Sequence, residues 1–401
     1  MIGHTKVPGP LAVFADGFRM ELDRLGYTPS SREFKLAEMA RLSIWLESRR
    51  LDASDLCSAR VKEFLTDLAK CSGRAPTLVA MRPLLAWFRE QGVCEGDPPP
   101  APLPPLDQLM ERYRCWMATD RQLAPRTISR YEQGARLFLD RGVQVDGSGD
   151  VVQGLTAETV TAFLLAEASR GLSAKSLQGR VAELRSLLRF LYLHAMIPTP
   201  LGEGVPPVPG WKDTAVPRRM AATEVQALLD SCDCTTTSGK RDLAILLLLA
   251  RMGLRAAEVA GLELEDFDWR AGELVVHGKA RRHDRMPLAA EVGDAVATYL
   301  LEARPRIECR SAFLTLVAPP RPIGHTTVGQ IVWRQCRIAG LEPVRAHRLR
   351  HALATELLSK GVRLPEIAQV LRQRDLATTA IYAKVDYSAL RELALPWLVV
   401  Q

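Results

Sequence analysis

No window of the 401 residues approaches 18 uninterrupted apolar positions, which excludes a membrane-spanning helix from the reading. The N-terminal stretch MIGHTKVPGPLAVFADGF has no apolar run long enough for a secretory signal. The eight cysteines (57, 71, 94, 115, 232, 234, 309, 336) are scattered. They form neither the paired C-x-x-C of a zinc module nor the density of a disulfide framework. Reduced thiols and a cytoplasmic location follow as expectations. A bias toward disorder is missing as well: apolar residues make up 47% and charged residues 25%, the balance of a globular chain.

What is present is a moderate positive excess, +7 overall, which suits a polyanionic partner without demanding one. From Trp211 to Gln401 there are 27 Lys and Arg against 22 Asp and Glu, so +5 of the +7 lies in that segment. At this length two or three domains are expected. Two proline-rich stretches, DPPPAPLPP at 97–105 and PTPLGEGVPPVPGW at 198–211, mark the divisions. The expected segments are 1–97, 106–198 and 212–401.

The first two segments read as all-α. Leu177, Val181, Leu184, Leu188 and Leu191 recur at the spacing of one helix face. They also resemble one another: TPSSREFKLAEMARLSIWLESR (28–49) parallels APRTISRYEQGARLFLDRG (124–142), VKEFL parallels VTAFL, and 77–93 parallels 177–197. Each copy opens with Pro and Ser or Thr, a cap signal. The third segment is mixed. RDLAILLLLARMGL (241–254) predicts a helix buried on most sides, and GELVVHGKARRHDRMPL (272–288) predicts a β-hairpin around a basic turn. Helical patterns return from Thr326 onward, through HALATELLSKG, LPEIAQVL and TTAIYAKV.

The chemistry centres on HRLRHALATELL, 347–358. On a helix His347 and Arg350 share a face with His351 one step round, so the group can reach one anion. A zinc reading of His347 and His351 lacks the adjacent Glu of H-E-x-x-H and any Cys partner. Taken alone, the cluster would be a solvated basic helix end. It is accompanied, however, by Arg255 and Glu258 in MGLRAAEVAGLELEDFD, Lys279 in HGKARRHDR, and Tyr382 in TTAIYAKVD.

In that order and spacing the third segment resembles the tyrosine recombinase (phage integrase) family. The family carries Arg in L-R-x-x-E-L-x-x-L, Lys in a G-K hairpin, H-x-L-R-H, and a nucleophilic Tyr in a T-x-x-Y helix. The middle segment resembles the family's helical core-binding domain. The fold expected is therefore multidomain and mostly α, with helical N-terminal core-binding-type domains before a mixed α+β catalytic domain; segment 1–97 would be an arm-type or additional core-binding-like domain.

The resemblance implies a site-specific DNA recombinase, integrase- or transposase-like, that cleaves and rejoins strands through a 3′-phosphotyrosine. Such chemistry needs no metal and no cofactor. Two guanidiniums, Arg255 and Arg350, would neutralise the charge building on the phosphate by forked hydrogen bonds. Tyrosine, with a pKa near 10, must lose its proton to attack, and His347 is the acceptor. Lys279 would return a proton to the leaving oxygen, and Glu258 would orient Arg255. His351 supports the cluster, and Arg281, Arg282 and Arg285 are expected to contact DNA. Tyr387 lies outside the T-T-A-I-Y frame, which favours Tyr382 as nucleophile.

One departure stands out. Where the family has Leu-Gly-His or a Trp variant nine residues before the tyrosine, VLRQRD supplies Arg372 and Gln373. A Gln amide can donate to a phosphate but cannot exchange a proton; neighbouring Arg372 or Arg374 could supply a donor instead. The partners implied are double-stranded recombination sites and three further copies in a synaptic tetramer, in the cytoplasm at the nucleoid, with partner recombinases left open. The competing readings are a DNA-binding accessory protein with weakened or lost chemistry, and a topoisomerase.

Overall fold

The computed structural model describes residues 5–72, 78–93, 103–142, 152, 155–209, 220–278 and 283–373. The chain divides into two compact units, Met1–Gly96 together with Val216–Gln401, and Asp97–Ala215. No helix among the described residues is long and apolar enough to cross a membrane.

The N-terminal part of the first unit carries helices α1 (Ala15–Arg24), α2 (Pro29–Ser48), α3 (Ser58–Ser72) and α4 (Leu78–Glu90). Phe18, Leu36, Met39, Leu46, Val61 and Phe88 fill their shared core. Thr28 caps α2, its Oγ1 accepting the Ser31 N–H at 3.3 Å, and Pro29 takes the first helical position, where its missing N–H costs nothing.

The second unit carries α5 (Pro105–Thr119), α6 (Pro125–Gly142), α7 (Ala157–Ser169) and α8 (Ala174–Leu193) around Tyr113, Met117, Phe138, Leu187 and Phe190. The buried Tyr113 hydroxyl is satisfied by donation to Ser186 Oγ at 2.9 Å. Thr156 and Ser173 cap α7 and α8.

The three pairs of similar stretches fall on α2 and α6, α3 and α7, and α4 and α8. VKEFL buries Val61 and Phe64, and VTAFL buries Val160 and Phe163. The phenylalanine of each meets an aromatic ring of the preceding helix edge-on: Phe64 on Trp45 with centroids 5.8 Å apart, Phe163 on Phe138 at 5.0 Å. The internal similarity therefore has a common packing motif beneath it.

The C-terminal part of the first unit is built on α10 (Thr237–Ala250), preceded by α9 (Ala222–Asp230). Ala244 to Leu249 are all buried, as a nearly all-apolar run requires. Around α10 pack α9, α12 (Ala290–Thr298), α13 (His325–Ile338) and α14 (His347–Ser359). Two charged residues of α10, Arg241 and Asp242, are buried too: Asp242 accepts from Arg241, from Arg334 and, at 3.1 Å, from Gln335 Nε2, so its charge is met on several sides.

The predicted hairpin forms. Strands β1 (Phe267–Asp268), β2 (Glu273–His277) and β3 (His283–Pro287) make an antiparallel sheet in the order β1-β2-β3, with His277 opposite His283. Leu274 and Val276 point into the core, the alternation of a half-buried strand. The short helix α11 (Ala256–Ala260) lies between α10 and the sheet in sequence, and α15 (Leu364–Val370) follows α14.

Candidate active site

Gly253 shapes the approach to the site. It turns the chain after α10 with φ +62°, and a Cβ there would come within 2.8 Å of Leu371 and 3.0 Å of Leu353. Glycine is required for both reasons. Two residues on, Arg255 is the N-cap of α11. Its own backbone N–H donates to Glu258 Oε2 at 2.8 Å and its guanidinium Nη1 to Glu258 Oε1 at 2.5 Å. The Glu258 side chain is 7% exposed and that of Arg255 45%, so the carboxylate sits underneath and holds a half-exposed cation outward. Burial raises the Glu258 carboxyl, but the Arg255 N–H and the Arg372 and Arg255 charges outweigh it and keep it below the usual range. The orienting role expected of Glu258 has this geometry behind it.

HRLRH opens α14, so its charges stand at the positive end of the helix, where cations are disfavoured and an anion is welcome. Arg350 is fully buried. Its Nη1 donates to the Gly253 carbonyl at 2.5 Å and its Nη2 to the Leu371 carbonyl. One donor of each Nη is thus bonded to a backbone oxygen, which fixes the orientation of the guanidinium. Arg350 joins the turn before Arg255 to the end of α15 and supplies a buried positive charge beneath the site.

His347 and His351 lie edge to face with ring centroids 4.4 Å apart. Burial lowers the His347 pKa, and the nearby Arg350 and Arg255 charges lower it further. The structure therefore brings Arg255, Glu258, His347 and Arg350 together, with His347 biased to the neutral form that accepts a proton. Among the described residues no three His, Cys, Asp or Glu side chains are grouped to hold a metal ion.

Burial, followed by the charges of His347, Arg348 and Arg350, pushes His351 down to about 4. An unfolded histidine titrates near 6.5. The stability gained by keeping this ring neutral is complete above that value and is lost as pH falls from about 6.5 toward 4, on the order of 2 kcal/mol by pH 5. Thermal melts at pH 7.5 and 5.0 should show a smaller acid-induced drop for His351→Gln than for the unaltered chain. Equal drops would show that another group governs the acid loss.

The remaining candidates are distributed as follows. Lys279, Arg281, Arg282, Arg374 and Tyr382 lie outside the described residues, though β2 and β3 place the ends of the Lys279 turn. Arg285 stands in β3 rather than in the turn, exposed, with Nη1 3.2 Å from Glu273 Oε2 across the sheet. Gln373 is half-buried, its backbone N–H bonded to the Ala368 carbonyl at 2.8 Å. Arg372 does not face outward as a spare phosphate donor: it pairs with Glu258 at 2.9 Å, and both side chains are only 7% exposed. That contact was invisible in the sequence, where 114 residues separate the two.

In this fold the carboxylate-held Arg255, His347 and the buried Arg350 meet beside a β-hairpin, the arrangement expected of the tyrosine recombinase class. The phage integrase family profile matches residues 218–389, and the profile of the phage integrase N-terminal SAM-like domain matches 110–194. The chain is 37% identical over 399 residues to y4rA of Sinorhizobium fredii, by name an integrase/recombinase, covering 97% of this chain and 95% of that one. It is 28% identical over 300 residues to the tyrosine recombinase XerD of Listeria monocytogenes, covering 72% of this chain and 97% of that one.

Among solved structures, a lambda integrase (75–356) dimer bound to a COC′ core site aligns with TM-score 0.53 at 16% identity, over 70% of this chain and 96% of that one. XerH recombinase bound to palindromic difH aligns with TM-score 0.51 at 16% identity, over 99% and 98%. The protein belongs to the phage integrase family of tyrosine recombinases, which carry out site-specific DNA recombination.

Proposed function

We propose that this protein cleaves and rejoins double-stranded DNA through a covalent 3′-phosphotyrosine on Tyr382, without a metal ion. The observation that carries this reading is the meeting of Arg255, Glu258, His347 and Arg350 at the N-terminus of α14. Arg255 is positioned by Glu258 to bond a non-bridging phosphate oxygen, and Arg350 adds positive charge from below. His347, held toward neutrality, takes the Tyr382 proton as the phenolic oxygen attacks phosphorus and the 5′-oxygen leaves. Lys279, from the turn between β2 and β3, protonates that oxygen. Gln373 serves as a hydrogen-bond donor where relatives use a ring. Arg281, Arg282 and Arg285 reach the DNA backbone.

The modules proposed are a helical domain in 1–97, a core-binding domain in 106–198 and a catalytic domain in 212–401, with four copies assembled on two DNA sites. The recurring aromatic pair and the matched helices of the first two segments support reading 1–97 as a second core-binding-like module. A nicked suicide substrate, which loses a short fragment on cleavage and cannot be rejoined, tests the reading directly. Incubated with the protein in the presence of a chelator, it should yield a protein–DNA adduct stable to denaturation. Absence of an adduct, or strict dependence on a divalent ion, would overturn it.

A further inference from the structure

The Leu-Arg-Gln sequence at 371–373 puts an arginine where the backbone asks for glycine. Arg372 follows Leu371, the C-cap of α15, with φ +52°, a left-handed conformation that a side chain adopts only at a cost. A glycine would serve the turn better. The side chain gains something in return: Nη2 lies 2.9 Å from Glu258 Oε2 and Nη1 lies 3.0 Å from Met286 Sδ, so the end of α15 is tied to α11 and to β3.

We propose that Arg372 is a positioning residue for strand cleavage, a buried counter-charge to Glu258 that leaves Arg255 free to act on the phosphate. The inference rests on the cleavage reading given above. Its logic is electrostatic. Glu258 carries one negative charge and holds Arg255 by both its backbone N–H and its guanidinium. With only those two residues the pair is neutral, and the carboxylate cancels the charge that a phosphate would feel. With Arg372 on the other side of Glu258, the trio Arg255, Glu258 and Arg372 carries net +1. Because Arg372 and Glu258 are both largely shielded from water, solvent screens this arrangement weakly. The Arg372 guanidinium itself does not reach out of the protein, so its effect is transmitted through Glu258 and Arg255.

Three variants separate this role from simple packing: Arg372→Gly, Arg372→Lys, and Arg372→Gly combined with Glu258→Gln. Glycine suits the φ of the position, so the first variant is expected to fold. Single-turnover cleavage of the suicide substrate at saturating protein should slow by about tenfold or more in Arg372→Gly, while DNA affinity at one fixed salt changes little. Arg372→Lys should recover most of the rate by restoring the charge. The double variant should be faster than Arg372→Gly, because removing the Glu258 charge returns the cluster to net +1.

A double variant slower than Arg372→Gly overturns the proposal, because removing the Glu258 charge would then bring no gain beyond the loss of its hold on Arg255. So would an Arg372→Gly variant that cleaves as fast as the unaltered chain. If the unaltered chain itself yields no adduct, the cleavage reading falls and this inference with it.

Discussion

Replacing Tyr382 with Phe is expected to remove covalent adduct formation altogether, a loss of at least about ten-thousand-fold, with DNA affinity at fixed salt nearly unchanged. Only the nucleophilic oxygen is deleted. The cations proposed to attract the phosphate are untouched. Tyr387→Phe, five residues on and outside the T-T-A-I-Y frame, should leave cleavage intact. Denaturing gels of the suicide-substrate reaction report both. An adduct that survives in Tyr382→Phe and vanishes in Tyr387→Phe would move the nucleophile; one that survives in each would show that neither tyrosine alone is required.

The second large effect is expected at Arg350, a side chain that joins two segments and is proposed to serve the chemistry as well. Arg350→Ala leaves the Gly253 and Leu371 carbonyls without their donor and opens space in a fully buried position. An unmet buried polar group costs about 1–3 kcal/mol, so the variant should lose roughly 3–5 kcal/mol of stability as well as cleavage. Arg350→Lys keeps the charge but cannot span two carbonyls, and should recover only part of either property. Urea unfolding followed by tryptophan fluorescence gives the stability, and single-turnover cleavage gives the activity. An unchanged midpoint in Arg350→Ala would mean that the guanidinium is not the link between the Gly253 turn and α15.

The family relationship has a specific consequence for the departure at 371–373. The notable substitution is as much Arg372 as Gln373. Chemistry alone draws the eye to Gln373, since an amide cannot exchange protons as a histidine can. The structure shifts attention to its neighbour, whose side chain turns back into the domain and meets Glu258. Arg255 thus belongs to a trio with Glu258 and Arg372 rather than to a pair.

Much of the architecture could be read from periodicity, because secondary structure and burial are written locally. The apolar run 241–254 has no polar face to give to water, so α10 had to be enclosed. Residues 272–288 alternate around a basic turn, so a hairpin had to form there. The family was likewise legible, from the order of Arg255, Lys279, His347, Arg350 and Tyr382 in its motifs, and the profile match to 218–389 bears that out. Contacts between distant segments were not legible. Nothing local says that Arg350 binds the carbonyls of Gly253 and Leu371, 97 and 21 residues away, or that Arg372 meets Glu258 across 114. Sequence determined which charges this chain carries and in what order. Tertiary packing decided which face outward and which are held beneath, because a cation's contribution depends on the carbonyls, carboxylates and water around it, and those come from other parts of the chain.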